Sequence, residues 1–287
     1  MRGIVLAGGT GSRLWPITRV TSKQLLPVYD KPMIYYPIST LMLAGIREIL
    51  IITTPDDQPS FQKLLGDGSD LGITLKYEVQ QNPEGLAQAY IIAEKFLDND
   101  QSMMVLGDNI FHGAGLGSEL GRNRISVGAE IFTYEVSNPS YYGILNLDLA
   151  GKPTSVVEKP TQSVSKLAVT GLYTFDNRVC ELAKQVKPSA RGELEITSLI
   201  NRYLEMDELH VTHLSRGTAW LDTGNPEAMH DAASYIRVIE DRTGLKIACL
   251  EEIAFRSGWI DESSLKMLTQ RYKGNSYGRY LERILSS

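Results

Sequence analysis

The chain has 287 residues, 43% hydrophobic and 22% charged, a length and balance that bury a full core and exclude a disordered chain. Its 29 basic and 34 acidic residues leave a formal charge of −5, which repels a polyanionic nucleic acid, so any bound nucleotide is expected to be small. Two cysteines, Cys180 and Cys249, lie far apart and outside any zinc-ligand spacing, so they are expected as buried thiols of a reducing compartment.

The apolar run Gly3 to Ala7 reads as a buried first strand, and it ends in the glycine-rich turn Gly8-Gly9-Thr10-Gly11-Ser12. That run is too short for a secretion signal and no stretch reaches membrane-spanning length, so the expected location is the cytoplasm. Pro32 opens a helical pattern that runs to Ala44 and closes at Gly45. Glu48 to Thr53 is an isoleucine-rich second strand. A short helix near Ser60 to Leu65 follows, then a strand near Ile73 to Val79, a helix from about Gly85 to Leu97, and a strand at Met103 to Leu106. This alternation predicts an α/β fold with a Rossmann-like, mostly parallel central sheet flanked by helices, whose ligands bind outside the carboxyl ends of the strands. Two segments stand at such ends: Gly8 to Arg13, and Gly107-Asp108-Asn109.

From Val127 to about Phe175 short strands and turns take over, predicting a mixed-sheet extension that encloses a small substrate. Helices near Arg178 to Gln185 and Leu194 to Met206, a strand at Leu209 to Leu214, a loop at Ala219 to Gly224 and a helix from Pro226 to about Asp241 complete the pattern. The last forty or so residues read as amphipathic helices. The expected organisation is a core over residues 1–241, its nucleotide part ending near 126 and its sugar part filling 127–241, followed by a helical segment over 242–287 that serves regulation or an interface.

Gly8, Gly9 and Gly11 permit backbone N–H groups to approach phosphate oxygens, and Arg13 and Lys23 add charge beside them; the same cluster also suits a plain tight turn. It is not a P-loop, since no Gly-Lys-Ser or Gly-Lys-Thr occurs, and Leu14 occupies the third glycine position of a dinucleotide fingerprint. An aspartate such as Asp108 or Asp222 caps turns more often than it binds metal. Asp108 gains weight by following a buried strand. Gln80 carries the donor and acceptor that pair with a pyrimidine imide, while Gln81 beside it suits solvent. His112, His210, His213 and His230 form no base or metal cluster and read as structural.

The run Leu6 to Leu14, joined to Ser22-Lys23-Gln24-Leu25-Leu26-Pro27-Val28 and Lys31-Pro32-Met33, resembles the signature of the sugar nucleotidyltransferases, also called sugar-nucleotide pyrophosphorylases. The resemblance extends through Gly85-Leu86-Ala87-Gln88-Ala89, Leu106-Gly107-Asp108-Asn109, Glu158-Lys159-Pro160, Val169 to Tyr173, Arg191 to Thr197 and Ala219 to Gly224. It departs at Trp15, where the pattern of relatives is histidine, and at Gly121 to Val127, which is a few residues short.

The resemblance implies an Mg2+-dependent nucleotidyltransferase whose substrates are dTTP and glucose 1-phosphate and whose products are dTDP-glucose and pyrophosphate. A uridylyltransferase making UDP-glucose and a catalytically silent sugar-nucleotide sensor are the alternatives. It assigns Arg13, Lys23 and Asp108 to catalysis, and Asp108 with Asp222 to the metal. Leu6, Gly8, Gly9, Gly11, Ser12, Arg13, Gln24, Gln80 and Gly85 hold the nucleotide. Gly143, Glu158, Val169 and Tyr173 lie near the hexose, Lys159 and Arg191 near its phosphate, and Glu193 is a weaker candidate. It further implies a homotetramer, feedback inhibition by a dTDP-deoxysugar, and neither nucleic-acid nor membrane partners.

Overall fold

The computed structural model describes residues 1–122 and 125–286. The shortening expected between Gly121 and Val127 includes Asn123 and Arg124, which lie outside the described residues, as does Ser287 of the expected C-terminal segment.

Strand β1 (Arg2–Ala7) leads through three single helical turns to the small hairpin β2 (Pro27–Val28) and β3 (Lys31–Pro32), then to α1 (Tyr35–Leu43), β4 (Glu48–Thr53), α2 (Gln58–Leu65), β5 (Thr74–Val79), α3 (Gln88–Leu97) and β6 (Ser102–Leu106). Helix α1 starts later than Pro32 because Lys31 and Pro32 pair with Val28 and Pro27. Next come β7 (Asn109–His112), α4 (Leu116–Arg122), and the strands β8 (Ala129–Glu135), β9 (Gly143–Leu147), β10 (Pro153–Glu158) and β11 (Leu167–Phe175). Helices α5 (Val179–Lys184) and α6 (Ile196–Glu205), strands β12 (Leu209–His213) and β13 (Ala219–Asp222), and helices α7 (Pro226–Thr243), α8 (Leu250–Arg256), α9 (Glu262–Arg271) and α10 (Ser276–Leu285) complete the chain. Among the described residues no helix is long and apolar enough to cross a membrane.

The main sheet has nine strands among the described residues, in the order β10-β9-β11-β6-β1-β4-β5, with β8 on β11 and β12 on β8. Strands β6, β1, β4 and β5 run parallel; β11 pairs antiparallel with β6 and starts the mixed extension. Helices cover both faces of the parallel part, which is why its strands are apolar throughout rather than alternating. Ile4, Leu50 and Ile52 face Tyr90 and Ala93 of α3. Val5, Ile49 and Ile51 face Ile38 and Leu41 of α1. All of these are at or near complete burial, and each large side chain among them stabilises the fold by about 1.5–3 kcal/mol.

One predicted loop, Ala219 to Gly224, is mostly strand. Residues 219–222 pair antiparallel with β7, Asp222 opposite Asn109 and Ala219 opposite His112. Four residues carry too little periodicity to announce a strand, and the partner lies more than a hundred positions upstream, so only the tertiary fold supplies it. Helix α7 follows the sequence signals closely: the Asn225 side chain accepts from Ala228 N at 2.8 Å, Pro226 opens the first turn, and Gly244 closes the helix at φ 69°.

Candidate active site

In the parallel part, register aligns Leu6 with Leu106, Ala7 with Thr53, and Thr53 with Val79. The residues that follow these strands therefore emerge on one edge: the Gly8 turn after β1, Gln80 after β5, and Gly107-Asp108 after β6. A cleft of about 390 Å³ opens there, at the carboxyl edge where open α/β sheets bind ligands.

One wall is the turn after β1, with Gly9, Thr10, Gly11, Ser12 and Arg13, and with Leu6 beneath it. The turn is fixed from below by Thr18, whose hydroxyl donates to Gly11 O at 2.6 Å, and by the wholly buried Leu14. Gly8 itself does not line the cleft. A Cβ there would stand 2.1 Å from Gln80 Oε1, so the missing side chain is the space that Gln80 occupies. Gln80 is 3% exposed and lines the cleft, whereas its neighbour Gln81 points to solvent. Gly85, at φ 116°, also lines it; a Cβ there would meet Leu194 N and O at 2.5 Å each. The backbone of residues 84–87 is strapped to Leu194, which donates to Glu84 O and accepts from Ala87 N at 3.0 Å. That strap delays the start of α3 to Gln88.

The floor holds Lys23, Gln24 and Asp108. Lys23 is buried, and its Nζ meets Asp108 Oδ2 at 2.7 Å. The other carboxylate oxygen, Oδ1, accepts from Asn109 Nδ2 at 2.8 Å. Burial pushes the Asp108 carboxyl upward, but the Lys23 ammonium and the Asn109 amide outweigh it and hold the acid below its usual range. Asp222 stands one ladder step away, held by Thr223, whose N and Oγ1 both donate to Asp108 O, at 3.1 and 2.8 Å. Burial, then the like charge of Asp108, push Asp222 up to about 6 against the pull of Lys23, Arg13 and Lys159. Gly224 is lined up beside both the Asp222 carboxylate and Arg13 Nη1.

Asn109 is the functional residue that sequence reasoning passed over. It is 2% exposed, and its Oδ1 accepts from Trp220 Nε1 at 2.6 Å and from Gly171 N at 3.2 Å. Both acceptor bonds turn the amide so that its N–H2 faces Asp108. The motif Gly107-Asp108-Asn109 was visible, but nothing local says that the asparagine, rather than solvent, orients the acid.

The residues assigned to the sugar phosphate are not in the lining of this cleft, except for the weaker candidate Glu193. They gather around Glu158. Gly143 pairs with Glu158 across β9 and β10, and a Cβ on Gly143 would lie 3.3 Å from Glu158 Oε2. Lys159 Nζ is 3.6 Å and Arg191 Nη2 3.5 Å from Glu158 Oε1, and Arg191 also holds Glu195 at 2.9 Å. Burial raises Glu158, with Lys159 opposing and Glu195 reinforcing the shift. Tyr173 and Val169 are buried on β11, and burial together with the charges of Glu158, Asp108 and Asp222 pushes the Tyr173 phenol well up. Lys159 and Tyr173 thus feel both groups of acids, which places the Glu158 cluster next to the carboxylate pair.

Of the histidines, His112 Nδ1 is 2.9 Å from Tyr235 OH and His213 Nδ1 is 2.6 Å from Thr133 Oγ1, and Cys180 and Cys249 are buried free thiols.

The profile of the nucleotidyl transferase family matches residues 2–238, and the chain belongs to that family: it is a nucleotidyltransferase. Along its whole length it is similar to enzymes named glucose-1-phosphate thymidylyltransferase. The one from Neisseria meningitidis is 54% identical over 286 residues, 99% of each chain, and the one from Mycolicibacterium smegmatis is 52% identical over 285 residues, again 99% of each. A crystal structure assigned to a glucose-1-phosphate thymidylyltransferase from Bacillus anthracis, in complex with a sucrose, superposes with a TM-score of 0.76 at 39% identity, covering 83% of this chain and 95% of that one. A UDP-glucose pyrophosphorylase complexed with UDP-glucose shares the fold, with a TM-score of 0.72 at 22% identity over 83% of this chain and 98% of that one.

Proposed function

We propose that this chain transfers a thymidylyl group from dTTP to glucose 1-phosphate, giving dTDP-glucose and pyrophosphate. The observation that carries the reading is the convergence of Lys23, Asp108 and Arg13 on one cleft at the carboxyl edge of the parallel strands. Whole-length similarity to enzymes of that name supports the choice of substrates.

The reaction brings two anions together, so charge neutralisation and alignment dominate it. Arg13, a planar cation with several donors, spreads positive charge over the triphosphate near its α-phosphorus. Lys23, already turned toward Asp108, adds a compact charge at the floor. The phosphate oxygen of glucose 1-phosphate is ionised at neutral pH and attacks the α-phosphorus directly. The new P–O bond forms as the bond to the β-phosphate oxygen breaks, pyrophosphate carries away the electron pair, and the α-phosphorus inverts. No protein nucleophile takes part.

Asp108 and Asp222 suit Mg2+. That ion takes one or two carboxylates and completes its shell with water and substrate phosphates. The unfavourable crowding of the two acids, visible in the raised Asp222, is what a divalent cation relieves. Bound there, it would supply charge neutralisation to the triphosphate and the departing pyrophosphate.

In this reading Leu6, Gly9, Gly11, Ser12 and Gln24 hold the nucleotide and Gln80 with the Gly85 backbone reads the base. Glu158, Gly143, Val169 and Tyr173 hold the hexose, with Lys159 and Arg191 on its phosphate. Residues 1–126 then form the nucleotide part, 127–241 the sugar part, and 242–287 an interface or regulatory segment of a cytoplasmic homotetramer responsive to a dTDP-deoxysugar. The test is pyrophosphate release from a panel of triphosphates and sugar 1-phosphates, with and without Mg2+. Fast release with dTTP and glucose 1-phosphate only when Mg2+ is present supports the reading. A strong preference for UTP replaces it by a uridylyltransferase, and no release with any pair replaces it by a sensor.

A further inference from the structure

We propose that Glu84 and Gln88 set the base specificity by locking the orientation of the Gln80 amide, so that the cleft admits an imide base and rejects cytosine. The inference rests on the proposed pyrimidine-nucleotide function of the cleft and names how it discriminates.

Three side chains form a chain of hydrogen bonds leading into the cleft. Gln88 Nε2 donates to Glu84 Oε2 at 2.8 Å. Gln88 Oε1 accepts from Gln80 Nε2 at 2.5 Å and from the Glu84 backbone N at 3.2 Å. An amide has two nearly isosteric ends and by itself can turn over, but an ionised carboxylate can only accept. Glu84 therefore compels Gln88 to present its N–H2 outward and its oxygen inward. A backbone N–H, which can only donate, enforces the same choice. The oxygen of Gln88 in turn compels Gln80 to offer Nε2, and Gln80 Oε1 is left facing the glycine turn, against Gly8, with no hydrogen-bond partner among the described residues.

One N–H of Gln80 is used by Gln88. The remaining edge is one acceptor, Oε1, beside one free N–H. Thymine and uracil present the complement, an N3–H donor beside a C4 carbonyl. Cytosine in the same position presents an N3 lone pair and an N4 amino group, and both face their like. Burial makes the mismatch costly, because Gln80 is 3% exposed and unpaired buried polar groups are expensive. Glu84 and Gln88 touch no base in this scheme; they are positioning residues that act through Gln80.

The experiment compares kcat/KM for dTTP and dCTP with glucose 1-phosphate and Mg2+. The unaltered protein should favour dTTP by roughly 10⁴ or more, the scale of sites built around buried hydrogen bonds. In Glu84→Gln the side chain can donate as well as accept, so only the residue-84 backbone N–H still opposes reversal of the chain, and the ratio should fall by about 10-fold, one hydrogen bond's worth. The double variant Glu84→Gln with Gln88→Glu exchanges the two functional groups: position 88 becomes acceptor-only toward Gln80, position 84 becomes the donor, and the ratio should return to within a few-fold of the original. A purely structural role would lower both nucleotides equally in Glu84→Gln and leave the ratio unchanged, which overturns the proposal, as does failure of the double variant to restore discrimination. If the unaltered protein shows no preference for dTTP over dCTP, the base reading by Gln80 fails first, which separates that outcome from failure of the relay.

Discussion

Replacing Asp222 by asparagine should make the cation-free protein more stable at alkaline pH while removing its activity. The carboxyl of Asp222 stands near 6 rather than its usual 3.8 because it is buried beside Asp108. A raised folded value means that the stabilising contribution is complete below about 3.8, fades as pH rises through 6, and is absent above it. At pH 8 the charged acid therefore costs the folded state about 3 kcal/mol, from a displacement of roughly two pH units at about 1.4 kcal/mol each. Asparagine keeps the shape without the charge, and the Asp222 side chain accepts no hydrogen bond from the described residues that the change would break. Urea denaturation in the presence of a chelator should show Asp222→Asn more stable by about 2–3 kcal/mol at pH 8, with the advantage unchanged down to about pH 6 and shrinking below it toward about pH 4. Adding Mg2+ should stabilise the original protein and not the variant, reversing their order, while pyrophosphate release by the variant is abolished. A variant no more stable than the original at pH 8 without metal, or an advantage independent of pH, would refute the view that these two acids are held together against their repulsion.

Asn109→Ala should cost about 2–6 kcal/mol in urea denaturation, because it orphans two buried donors, Trp220 Nε1 and Gly171 N, at about 1–3 kcal/mol each; a loss under about 1 kcal/mol would mean that both donors find other partners. Arg13→Ala should lower kcat by roughly 10² or more while changing dTTP affinity, measured by calorimetry, less than about tenfold; an effect confined to binding would contradict a role at the α-phosphorus. Gly85→Ala places a side chain at φ 116° against the Leu194 backbone, so it should destabilise by about 1–3 kcal/mol and raise the KM for dTTP, and an unchanged KM would exclude this strap from the base pocket.

The parallel half was readable because its strands are buried on both faces: EILIIT at Glu48 to Thr53 is a strand at the predicted bounds, as its uninterrupted apolar run demands. The glycine turn and Asp108 were readable as motifs at strand ends, and Lys23 from the signature that joins it to the turn. What the sequence did not disclose is side-chain polarity and distant pairing. Asp222 looked like a loop residue because its strand is defined by Asn109, far upstream. Asn109 and Gln88 looked like ordinary motif members because hydrogen-bond direction is a property of three dimensions. The difference between Gln80, buried, and Gln81, exposed, followed only from which face of the sheet edge each meets.

The short ribbon of β7 and β13 also joins an early and a late part of the chain. Thr223, which grips the Asp108 carbonyl, arrives 115 residues later in the chain, so a nascent polypeptide can complete its glycine turn and the Lys23 ion pair long before the second acid exists. Synthesis interrupted ahead of β13 leaves a fragment in which the Lys23–Asp108 pair lacks Asp222 beside it.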